Sequence, residues 1–161
     1  MINKKYSGAI VLGLNDALVE MTGALVGLTF ALKDPKIIAI TGLITGVAAS
    51  LSMAASEYLA VREDSAKEKK KSSLKKAFYT GTTYIVAVLI LISPYIILNN
   101  VYTSLMITLS LALCLIAFYT LSISKENKIP PWKRFIQMAT ITIAVSIISF
   151  VVGILLKYFV L

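Results

Sequence analysis

Five long apolar stretches alternate with short polar joints along the chain: Gly8–Leu32, Lys36–Val61, Ala77–Leu98, Val101–Ile123 and Phe135–Leu156. A helix needs about 20 apolar residues to cross the hydrocarbon core of a bilayer, and each stretch reaches that length. The pattern predicts an all-α integral membrane protein with five transmembrane helices in one domain. The joints are built from helix-breaking and polar residues. Lys33-Asp34-Pro35-Lys36 separates the first two spans, and Asn99-Asn100 marks a tight turn between the third and fourth. Lys125 to Arg134, with Pro130-Pro131, separates the last two. Pro94 falls near the end of span three and is a candidate kink. The longest polar segment, Arg62–Lys76, is interrupted only by Ala66 and Leu74, so it reads as a solvated linker or helix. The first span is too long for a secretory leader and carries Asp16 and Glu20.

Composition sharpens this reading. Of the 161 residues, 58% are hydrophobic. A soluble domain of that length cannot bury so much apolar surface. There is no histidine, which removes imidazole metal ligands and the usual near-neutral proton switch. The single cysteine, Cys114, excludes an internal disulfide and reads as a small core residue of span four. The net charge of +8 is distributed by side. Of the 16 basic residues, all but Lys33, Lys36 and Lys157 lie on the side of the N-terminus. The excess of Lys and Arg in cytoplasmic loops places the N-terminus in the cytoplasm and the C-terminus on the far side. The charge is therefore a topology signal that also suits anionic headgroups, and no nucleic-acid-reading motif accompanies it. Trp132 beside Lys133 and Arg134 fits an interfacial anchor for span five.

Five of the 8 acidic residues lie outside the spans; Asp16, Glu20 and Glu57 lie inside. A carboxylate at the bilayer centre costs about 2.5–3.5 kcal/mol or more. No Lys or Arg inside a span is available to pair with these three, so protons or a bound cation must neutralise them. Asp16, Glu20, Gly23 and Gly27 fall on one stripe of a helix, and Gly42, Gly46, Ala49, Met53 and Glu57 on another. Gly23/Gly27 and Gly42/Gly46 are G-x-x-x-G pairs of the kind that let membrane helices approach closely. The acids are thus expected to point into a helix–helix interface. At ~1.5 Å of rise per residue, Glu57 lies about 6 Å from the cytoplasmic end of its span, Asp16 and Met53 about 12 Å, and Glu20 about 18 Å. A carboxylate level with a thioether suits Fe²⁺ or Mn²⁺ better than the oxygen-seeking Mg²⁺ or Ca²⁺. Asn15, Thr80, Thr82 and Thr83 read as structural, the threonines bonding back to their own helix. No phosphate-binding loop, dinucleotide fingerprint, nucleophile elbow or E-x-x-H pair is present, so no enzyme is expected.

Two segments carry a resemblance. GLNDALVEMTGALVGLTFAL in span one and GLITGVAASLSMAASEYLAV in span two resemble the vacuolar iron transporter family, most closely at Gly13 to Asp16 and Ser52 to Tyr58. Beyond residue 62 the likeness is architectural. Glu20 resembles a feature of the prokaryotic branch, which includes the transmembrane part of membrane-bound ferritins. The resemblance implies a homodimer that moves Fe²⁺, and often Mn²⁺, out of the cytosol in exchange for protons, along a two-fold path lined by spans one and two. It implies Asp16 and Met53 as transport-site residues and Glu57 as the acid of the second motif. No resident cofactor is implied, the metal being the cargo, and a prokaryotic member would sit in the cell membrane. Eukaryotic members insert a glutamate-rich metal-collecting domain between spans two and three. Here Glu63, Asp64 and Glu68 face seven basic residues over 62–76, so such a domain is not expected. A membrane scaffold or a metal or proton sensor that does not transport is the alternative from another class.

Overall fold

The computed structural model describes residues 4–64, 70–127 and 130–159, with side chains over 6–63, 72–122 and 130–159. It consists of five helices: α1 (Lys4–Ala31), α2 (Pro35–Asp64), α3 (Lys70–Ile97), α4 (Val101–Asn127) and α5 (Pro131–Phe159). All five are long and apolar enough to cross a membrane. Of the basic segment, read as a solvated linker or helix, the described parts are helical. α2 runs on through Asp64, α3 starts at Lys70, and Ser72 and Ser73 are already buried. Residues 65–69, including Glu68, lie outside the described residues.

The turn chemistry explains the joints. The Asp34 carboxylate caps α2, accepting from Lys36 N at 2.8 Å. Asn100 caps α4, its Oδ1 accepting from Tyr102 N at 3.0 Å and Thr103 N at 3.1 Å. Both satisfy first-turn amides that have no partner within the helix. Pro94 does not end α3, which continues to Ile97. A proline has no N–H to give the carbonyl four residues back; here the Ser93 hydroxyl donates to that carbonyl, Ile90 O, at 2.8 Å.

The seams show which helices run together. Along α1 and α3 the Thr80 hydroxyl donates to Ala9 O at 3.1 Å, and Thr29 pairs with Tyr95 at 2.6 Å, so these helices are parallel. Thr108 donates to Leu91 O and Ser104 to Pro94 O, which sets α4 antiparallel to α3. Gly23 and Gly27 of α1 lie against Val145 and Ser149 of α5, again in parallel. Gly42 and Gly46 of α2 lie against Ile92 and Val88 of α3, in antiparallel order. α1 touches all four other helices and is the central element. The core it anchors includes Leu18, Met21, Leu25, Tyr84, Leu91 and Ile116. α5 covers one side of α1 and turns Ile143, Ile147 and Val151 outward, as a lipid-facing helix does.

The G-x-x-x-G pairs lie at close helix approaches: Gly23/Gly27 seat α5, Gly46 seats α3, and Gly42 meets both Leu25 of α1 and Ile92 of α3. One expectation is corrected here. Cys114 is not a core residue; it is exposed on α4 beside the exposed Leu113.

Candidate metal-transport site

Asp16 and Glu20 lie one turn apart on α1. Gly13 precedes them by one turn and brings α1 onto the backbone of α3 at Thr80; Gly23 and Gly27 follow and bring α1 onto α5. These contacts fix the rotation of α1. The acids come out in the gap between the two packed faces, Asp16 half-buried and Glu20 exposed at the surface of the protomer. Glu20 is therefore not enclosed by the helices of its own chain. The charge acting on Asp16 is that of Glu20, a like charge.

One polar side chain answers Glu20. Tyr84 of α3, wholly buried, donates its phenol hydrogen to Glu20 Oε2 at 2.7 Å. Asp16 also lies within electrostatic reach of that phenol. Hydropathy gives no signal for this contact, because a tyrosine in an apolar span looks like any other aromatic core residue.

The other two candidates sit on α2. Met53 is half-buried and packs on the edge of the core. Glu57 is half-buried, and the charge that reaches it is Lys76 of α3. Arg62 does not serve Glu57: it donates to the Tyr58 hydroxyl at 3.3 Å and lies 5.6 Å over its ring. Among the described residues no three Asp, Glu or Cys side chains gather into one metal-holding cluster.

The side chains read as structural mostly behave so. Thr80 and Thr83 donate to Lys76 O and Tyr79 O, each four residues back. Asn15 does more than cap space beside Asp16. It is a hydrogen-bonding partner of the buried Tyr119 hydroxyl on α4, which also receives Arg134 Nη2 at 3.2 Å. Trp132 is 67% exposed at the start of α5 and stacks on Phe135 at 5.9 Å, as an interfacial anchor would.

Five helices long and apolar enough to span a membrane, with two carboxylates on the central one that face no basic side chain among the described residues, define a multi-pass membrane protein. Residues 7–72, which include both motifs and all four candidate ligands, match the model of the VIT family, the vacuolar iron transporters the sequence resembles. No curated protein matches the chain. The family match makes metal-ion transport the function to test first.

Proposed function

We propose that the protein exports a divalent transition metal, Fe²⁺ or Mn²⁺, from the cytosol in exchange for protons, working as a homodimer. The observation that carries this reading is the placement of Asp16, half-buried, and Glu20, exposed, on one stripe of α1, in a span and without a basic partner among the described residues. A second copy related by a two-fold axis would bring its own α1 and α2 against this face and enclose a path between them. Five spans cannot divide into equal inverted repeats, so the symmetry such paths use must come from a second subunit.

Glu57 draws the cation to the cytoplasmic mouth, with Lys76 near it as a counter-charge. Asp16 and Met53 bind the ion from facing helices, the carboxylate as hard donor and the thioether as soft one. Glu20 carries it toward the midplane. Protons and metal compete for the same carboxylates, so protonation releases the ion and couples the two flows without histidine. The N-terminus then faces the cytoplasm, as the basic residues direct.

Reconstitution into liposomes holding a metal-sensitive dye and a pH-sensitive dye tests this. Wild type moves Fe²⁺ or Mn²⁺ with proton counterflow, and Asp16→Asn slows that flux at least ~10-fold, the order expected from losing a charged ligand. A wild type that moves no metal under a pH gradient ends the transporter reading. Tight binding without flux would favour the scaffold or sensor instead. Asp16→Asn at the wild-type rate would remove Asp16 from the site.

A further inference from the structure

We infer that Tyr84 is a positioning residue of the ion path: its phenol holds one oxygen of Glu20 so that the other faces the ion, which makes α3 part of a site otherwise built from α1 and α2. This rests on the transport reading above. The geometry that points to it is local. The Tyr84 ring is wholly buried, yet its hydroxyl ends at an exposed carboxylate, 2.7 Å from Oε2. Glu20 takes no other side-chain hydrogen bond among the described residues, so Oε1 is left free on the outer face.

A comparison within the same seam separates packing from positioning. α3 sends two wholly buried tyrosines toward α1. Tyr95 meets the Thr29 hydroxyl at 2.6 Å, a neutral pair whose threonine also bonds back to Leu25 O at 2.7 Å. That pair closes the seam and touches no acid. Tyr84 gives its hydrogen to a carboxylate instead, and a hydrogen bond to a charged group is shorter and about twice as strong as a neutral one. In lipid a free glutamate would sample several rotamers and offer either oxygen. With Oε2 committed, Glu20 presents a single oxygen in one direction, as a relay between Asp16 and the midplane requires. The phenol is also within electrostatic reach of Asp16, so it sits where the ion passes from one acid to the next.

The test is a double-mutant cycle read as the apparent KM for Mn²⁺ in proteoliposomes. Tyr84→Phe keeps the ring and removes the hydroxyl; it raises KM about 10-fold, the scale of a lost hydrogen bond to a charged group. Tyr95→Phe, which removes the neutral seam bond, leaves KM unchanged. Glu20→Gln raises KM, and adding Tyr84→Phe to it raises KM no further, because the hydroxyl acts through that carboxylate. The inference is overturned if Tyr84→Phe matches wild type, if Tyr95→Phe raises KM equally, or if the Tyr84 effect persists in full in the Glu20→Gln background. If wild type carries Fe²⁺ and not Mn²⁺, the same cycle is read as the KM for Fe²⁺; no flux of either metal from wild type would overturn the transport reading and this inference with it. Wild-type flux with an inert Tyr84→Phe overturns the inference alone.

Discussion

Gly13→Ala and Gly8→Ala make the same chemical change five residues apart on α1 and should have opposite effects. At Gly13 an added Cβ would overlap the carbonyl oxygen of Thr80 on α3, with the carbonyl carbon next behind it at 3.0 Å. That obstacle is backbone, so no side chain can rotate away, and α1 and α3 must separate. Overpacking of this kind costs about 1–3 kcal/mol. Replacing glycine by alanine inside a helix returns about 1 kcal/mol. The net loss at Gly13 is about 0–2 kcal/mol. At Gly8 nothing lies within 4 Å of the new carbon, so only the helix term remains and the variant gains stability. The two variants should differ by about 1–3 kcal/mol, or about 2–12 °C in thermal midpoint for a chain of this size. Thermal unfolding of the detergent-solubilised protein, followed by Trp132 fluorescence, measures it. Since Asp16 lies one turn beyond Gly13, Gly13→Ala should also slow metal flux while Gly8→Ala does not. A Gly13→Ala protein as stable as Gly8→Ala would refute the close approach of α1 to α3.

Asn100→Ala removes the acceptor of two first-turn amides of α4 and should cost about 1 kcal/mol in the same unfolding assay, while Asn100→Asp should cost little. Cys114→Ala should leave stability within about 0.5 kcal/mol of wild type, because the side chain faces outward; a large loss would return Cys114 to the core. That variant would also supply a cysteine-free background for labelling experiments.

The helices were readable because a membrane leaves a backbone few choices: an apolar stretch in lipid must satisfy its own hydrogen bonds, and a helix does so. Their joints were readable from Pro35, Asn99-Asn100 and Pro130-Pro131 for the same reason. Partners were not readable. The spacing of Gly23 and Gly27 tells which face is flat enough for a close neighbour, but any helix can fill it, and α5 does. Glu57 illustrates the same limit: Arg62 is near it in sequence, yet Lys76 on another helix is the charge that reaches it. Tyr84 was invisible because its useful atom is one oxygen at the end of an apolar ring. The acids themselves were legible, since an unpaired carboxylate in a span conflicts with its solvent and so marks a place where chemistry outweighs folding.

The contact of Gly23 and Gly27 with Val145 and Ser149 bears on how the molecule is made. Chains emerge N-terminal end first, so α1 enters the bilayer well before α5 exists. During that interval its glycine face is covered by lipid, and Glu20 has no phenol to bond until α3 arrives. The acid-bearing helix is made before each of the four helices that pack around it. A ribosome product that stops after α4 would therefore carry Asp16 and Glu20 on a helix with one flank open, the flank that Val145 and Ser149 of α5 cover.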